Sequence, residues 1–68
     1  MNRQQIQSIH TGNKTIVVNK VNQSYEIVFK IRNRLYATVW VKCQHEIDRL
    51  IVQFLATGEV DHVGVWVV

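Results

Sequence analysis

The last nine residues, 60–68, constrain the fold more than any other segment, because the strand that they predict is apolar on both faces. Side chains alternate across a strand, so Val63, Val65 and Val67 lie on one face. Trp66 and Val68 lie on the other. A chain of 68 residues can build one helical layer against one face of a sheet. The second apolar face therefore predicts a partner, most simply another copy of the chain.

The length of the chain predicts one domain with one core. A domain of this size buries only about 60% of its unfolded surface, so it usually needs disulfides, a metal or oligomerisation for stability. Cys43 is the single cysteine, which excludes an intrachain disulfide and fits a reducing, cytoplasmic setting. The polar start of the chain lacks a secretory signal, and the longest apolar run, 65–68, is too short to span a membrane. We expect a cytoplasmic protein without membrane contact.

The first segment and the rest of the chain differ in composition. Residues 1–14 are polar and rich in Gln and Asn, which predicts an N-terminal arm that is frayed or forms a short helical turn. Residues 15–68 contain no proline and no low-complexity tract, so they predict a single α+β domain. A period-two pattern from Thr15 onward begins the first strand.

The first hairpin is predicted from its register. A two-residue loop at 22–23 pairs Val18 with Ile27. The same loop pairs Ile16 with Phe29, so apolar residues face each other along one side of the sheet.

A second hairpin leads into the third strand. We expect a three-residue loop at 32–34, because it pairs Ile31 with Leu35 and Phe29 with Ala37. All of these aliphatic and aromatic side chains then lie on the core side of the sheet.

A helix follows Cys43, where apolar residues recur with period 3.6. The pattern predicts a helix over 44–56 that has Gly58 as its C′ residue and lacks a good N-cap. We expect Phe29 and Phe54 to meet between sheet and helix. The predicted apolar stripe comprises Ile47, Leu50, Ile51, Phe54 and Leu55.

These elements predict an α+β fold with the element order β-β-β-α-β. We expect a four-stranded, mostly antiparallel sheet with one helix packed on one face. The right-handed crossover rule favours the strand order 3-2-1-4, with the last strand parallel to the first. An edge position beside the third strand is the alternative.

The sheet face opposite the helix predicts an interface between subunits, because it collects aromatic residues that the helix cannot cover. The predicted interface residues are Val17, Val28, Tyr36, Trp40 and Trp66. In the alternative, the N-terminal arm covers this face through Ile6 and Ile9.

Aromatic residues ringed by cations can also stack bases and neutralise phosphates. Glu26 in the middle of the face and a net charge of only +3 count against a nucleic-acid site. The residues that would form it are Lys30, Arg32, Arg34, Tyr36, Trp40 and Lys42.

Metal binding and catalysis are not expected. Cys43 and His45 do not have the spacing of zinc ligands. We expect Cys43 to be a buried structural thiol. Asp61 and His62 are adjacent in a strand and point to opposite faces, so they cannot act together on one substrate atom. We therefore predict no metal, no cofactor and no enzymatic activity.

The sequence thus predicts a small interaction protein that forms a homodimer through its sheet and binds or inhibits a larger protein. From its compact build with one cysteine, we expect a phage, prophage or mobile-element accessory protein. A DNA- or RNA-binding module that uses the sheet face is the rival interpretation.

Overall fold

A computed structural model describes residues 3–60 and the backbone of Val65–Trp66. The described residues form five strands and one helix, and each strand pairs antiparallel with its neighbour in the order β1-β2-β3-β4-β5. The helix packs on one face of the sheet. The elements are β1 Arg3–Thr11, β2 Lys14–Val21, β3 Ser24–Ile31, β4 Arg34–Val41, α1 Gln44–Thr57 and β5 Val65–Trp66.

The α+β class agrees with the expectation, but the predicted strand order 3-2-1-4 with a parallel last strand is wrong. The last strand, β5, pairs antiparallel with β4, where Thr38 lies opposite Trp66 and Val39 opposite Val65. This is the edge position that the sequence left as the alternative, with the opposite strand direction. The predicted place beside β2 is occupied by β1, so the last strand cannot pair with β2 there.

β1 forms in the segment for which the sequence predicts a frayed arm or a helical turn. It pairs with β2 along its whole length, from Arg3 opposite Val21 to Thr11 opposite Lys14. A β-bulge after Gln5 interrupts the alternation, and almost every side chain of β1 is exposed. An exposed edge strand of this kind lacks the apolar period that would have revealed it.

The hairpin of β2 and β3 confirms the predicted register. Val18 lies opposite Ile27 and Ile16 opposite Phe29, and all four side chains are fully buried. Asn22 adopts a positive φ of 57° in the two-residue turn, a conformation that Asn tolerates better than most residues.

The hairpin of β3 and β4 corrects the predicted loop. The turn has two residues, Arg32 and Asn33, and both have positive φ, as a type I′ turn requires. A bulge in β4 then shifts the register between Phe29 and Lys30. Phe29 therefore still lies opposite Ala37, as predicted, whereas the predicted pairing of Ile31 with Leu35 is wrong.

The helix confirms its predicted start and extends one residue further than expected, to Thr57. Its buried residues are Ile47, Leu50, Ile51 and Phe54. The Phe54 ring lies 4.8 Å from that of Phe29, which confirms the predicted contact between helix and sheet. Gly58 ends the helix in the left-handed conformation and donates its N–H to the Phe54 carbonyl. Within the described residues, the helix is too short and too polar to cross a bilayer.

The N-cap of the helix is unsatisfied, and this suggests a stabilising substitution. Cys43 occupies the N-cap without a side-chain hydrogen bond. Its side chain is exposed, so the expectation of a buried thiol is wrong. Serine at this position would form a capping box with Glu46, and we expect Cys43→Ser to be more stable than Cys43→Ala by about 0.5–2 kcal/mol. Urea unfolding of the two variants measures the difference, and equal stabilities would contradict this assignment of the helix start.

Candidate nucleic-acid interface

The sheet face turned away from α1, here called the outer face, holds part of the predicted interface. Val17 and Val28 lie opposite each other on β2 and β3, and Trp40 lies nearby on β4. All three are half-buried. Trp66 pairs with Thr38 through its backbone, but its side chain is outside the described part of the structure. The predicted interface is therefore brought together only in part.

Tyr36 is absent from the outer face, contrary to the prediction. The two-residue turn places Leu35 opposite Lys30 on the outer face, and the Tyr36 ring lies 5.8 Å from Phe54 on the helix side. The predictions that Leu35 joins the core and that Tyr36 faces outward are both wrong. Leu35 and Tyr36 remain 47% and 44% exposed, which makes them two of the most exposed large apolar residues described.

The centre of the outer face contains a closed polar network. Glu26 is only 8% exposed and accepts a hydrogen bond of 3.0 Å from the Asn19 amide. Its second carboxylate oxygen lies 3.3 Å from the Arg3 guanidinium. The negative charge of Glu26, which counted against a nucleic-acid site, is therefore balanced by Arg3. Glu26 also lies towards the opposite end of the sheet from the β3–β4 turn.

Two turns meet at one end of the sheet, here called the hairpin end. The Arg32 N–H donates to the Asn13 carbonyl at 2.7 Å, so the β1–β2 and β3–β4 turns lie side by side. Four of the eight Lys and Arg residues gather there through the register of β2, β3 and β4. They are Lys14, Lys30, Arg32 and Arg34.

Charge is unevenly distributed over the described residues. Of the described acids, Glu26 lies opposite Trp40, and Glu46 and Asp48 lie near the start of α1. Glu59 follows Gly58, which lies near Lys14. Lys14 donates to the Leu55 carbonyl at 3.2 Å and so stabilises the negative end of the helix dipole. Neither of the two ion pairs of the described residues involves Lys30, Arg32 or Arg34.

The predicted nucleic-acid residues separate into two groups. Lys30, Arg32, Arg34 and Tyr36 surround the β3–β4 turn. Trp40 lies near the far end of β4 and Lys42 just past it, about 13 Å and 20 Å from Tyr36 at the usual rise per strand residue. They do not belong to the same site.

Leu35 and Lys14 belong to the hairpin end and were missed by the sequence reasoning. The sequence signal that could have revealed the outward position of Leu35 is Asn33, because Asn favours the positive φ of a two-residue turn. Such a turn places Leu35 outward beside Lys30.

The residues considered for metal binding are not assembled into a centre. Within the described residues, no group of three or more His, Cys, Asp and Glu side chains could hold a metal ion. His10 is engaged with the Thr15 hydroxyl at 2.8 Å, and His62 is outside the described residues. The expected absence of a metal and a cofactor stays a prediction.

Comparisons with protein-family models, with curated proteins and with solved structures give no match for this chain. The candidate site therefore rests on its own chemistry.

Proposed function

We propose that this chain is a non-enzymatic module that binds single-stranded nucleic acid at the hairpin end. One observation carries the proposal. Three cations without ion pairs in the described structure, Lys30, Arg32 and Arg34, lie on the same hairpin as two exposed apolar residues. Leu35 lies on its outer side and Tyr36 on its helix side. Cations beside an exposed aromatic ring are the combination that binds the backbone and the bases of a single strand.

Each side chain has a role that follows from its position. Arg32 at the turn and Arg34 beside it present planar guanidinium groups, which bind phosphate oxygens in a bidentate manner. Lys30 adds a charge on the outer side of the same hairpin. Tyr36 supplies an aromatic surface on the helix side, where its packing near Phe54 fixes its position. Unpaired bases expose the faces that such a ring can stack against.

The interaction module that the sequence first predicts has less support on the outer face. A single chain already half-buries the outer-face residues Val17, Val28 and Trp40. Tyr36 lies on the helix side of the sheet instead. The binding or inhibition of a larger protein, the cytoplasmic location and the phage or prophage origin stay predictions. Self-association is considered separately, since a different part of the sheet supports it.

The salt dependence of binding tests the proposal. We expect the parent to bind a fluorescein-labelled oligothymidylate with a log–log salt slope of about −2, the value for three phosphate contacts on a single strand. Arg32→Asn combined with Arg34→Gln removes two of these contacts, and Asn suits the positive φ at position 32. This double variant should bind more weakly, with a slope shallower by about 1.4. Fluorescence anisotropy at several salt concentrations measures both quantities.

A matched control removes the same charge from the opposite end of the sheet. Lys20 and Lys42 lie there, and Lys20→Gln with Lys42→Gln lowers the net charge by the same amount. We expect this control to keep nearly the parental affinity and slope. Equal losses in the two double variants would show that net charge, and not the hairpin end, determines binding. The absence of binding by the parent at low salt would contradict the proposal outright.

A further inference from the structure

β1 has a free edge that lacks most of the usual protection against pairing. It is the outermost strand of the described sheet on its side and is nine residues long. Natural edge strands are commonly shielded by Lys, by Pro or by inward-pointing charges. β1 contains no Pro, and its one charged residue of fixed sign, Arg3, lies at its start. Its bulge shields only the part that precedes Gln7.

The direction of the backbone groups along β1 follows from its turn. Thr11 and Lys14 close a two-residue turn, so they form a hydrogen-bonded pair and the pairs alternate from there. Ile9 therefore directs its N–H and C=O towards Ile16 of β2. Ser8 and His10 direct theirs away from the sheet, at the free edge.

We infer that two copies of this chain pair along β1, antiparallel and centred on Ile9. In this register Ser8 of each copy lies opposite His10 of the other, and each pair exchanges two backbone hydrogen bonds. The backbone N–H and C=O groups of Ser8 and His10 that point to the free edge form the hydrogen bonds of this ladder. Ile9 lies opposite Ile9 of the other copy in a non-hydrogen-bonded pair. The result is one continuous sheet through both molecules.

The choice of a second copy as the partner rests on self-complementarity. Ile9 is a partly buried residue that packs against the core, and the two-fold axis places it against the same residue of the other copy. Apolar pairs across strands stabilise a sheet. The two Arg3 side chains lie far apart in this register, so pairing brings no like charges together. The bulge limits the ladder to residues 7–11, which is a small interface of the kind that gives weak association.

Sedimentation of the full chain from micromolar to millimolar concentration tests this inference, which is independent of the nucleic-acid proposal. We expect a reversible dimer. Ser8→Pro removes the outward N–H without touching the ladder to β2, because the Ser8 pair with Val17 is not hydrogen-bonded. It should be monomeric over this range, while Ser8→Ala, which keeps the N–H, should dimerise as the parent does. A monomeric parent, or a dimer that survives in Ser8→Pro, would overturn the inference.

A cross-link gives a second readout in case Ser8→Pro fails to fold. A non-hydrogen-bonded antiparallel pair has Cα atoms about 4.5 Å apart, within the range of a disulfide. Ile9→Cys in a Cys43→Ser background should therefore oxidise to a covalent dimer. Gln7→Cys in the same background is the control, since in this register the two Gln7 residues lie several residues apart along the ladder. Equal cross-linking of the two variants would overturn the inference, and neither variant alters the hairpin cations that the binding assay tests.

Discussion

Replacing Phe54 with alanine is expected to lower the free energy of unfolding by about 3–5 kcal/mol, the usual loss for a buried phenylalanine. Phe54 is 0% exposed and packs against Phe29 at a ring distance of 4.8 Å. The total stability of a chain this short is only about 3–10 kcal/mol at the usual value per residue. The loss is therefore comparable to the total stability, and the variant should unfold at a much lower urea concentration than the parent.

Val52→Ala is the matched control on the same helix. Val52 is 67% exposed, and we expect its replacement to change the stability by no more than about 0.5 kcal/mol. Urea unfolding followed by circular dichroism compares the two variants. If Phe54→Ala melts cooperatively at nearly the parental midpoint, the packing of α1 on the sheet is wrong.

Asn19→Asp is expected to lower the free energy of unfolding by about 2–4 kcal/mol, from the lost hydrogen bond and like-charge repulsion at low local dielectric. The Asn19 amide donates to the Glu26 carboxylate at 3.0 Å, and both residues are buried. Aspartate has nearly the same shape, so the packing is retained and the donor becomes a second negative charge. The effect reports directly on this contact.

Two further substitutions separate the contributions around Glu26. Asn19→Ala removes the donor without adding a charge, and we expect a loss of about 1–3 kcal/mol. Arg3→Gln removes a 3.3 Å ion pair whose arginine side chain is 52% exposed, so we expect a loss of no more than about 1 kcal/mol. If Asn19→Asp is as stable as Asn19→Ala, the two carboxylates do not approach each other and the outer-face network is misassigned.

The sequence was sufficient to predict elements that bury one complete face. The core-facing residues of the β2–β3 hairpin recur with period two, and a one-residue slip would turn Ile16 or Ile27 away from the core. The helix has an unbroken apolar stripe and a glycine at its end. Burial alone determines both elements, and burial can be inferred from a sequence.

Both edges of the sheet were predicted incorrectly because their geometry does not depend on burial. β1 is held by backbone hydrogen bonds to β2, and its mostly exposed side chains give no periodic signal. The last strand was predicted beside β2, a place that β1 occupies and that appeared free only because β1 was missed. One missed strand therefore produced the wrong sheet order.

The hairpin end was predicted in part. Lys30, Arg32, Arg34 and Tyr36 are close in sequence, so any hairpin brings them close in space. The two-residue turn and the bulge decided the rest, because the turn places Leu35 on the outer face and the bulge returns Ala37 to its place opposite Phe29. A bulge depends on how the turn and the strand twist fit together, which alternating hydrophobicity does not encode.

Nuclear magnetic resonance titration of the ¹⁵N-labelled protein with an oligothymidylate tests the central claim most directly, because it locates the contact residue by residue. We expect the largest amide shifts at Lys30, Arg32, Arg34 and Tyr36, with smaller ones at the adjacent Asn13 turn. Amides near Trp40 and in the middle of β1 should stay unchanged. Shifts centred on Trp40, or no shifts at saturating oligonucleotide in low salt, would contradict the assignment of nucleic-acid binding to the hairpin end.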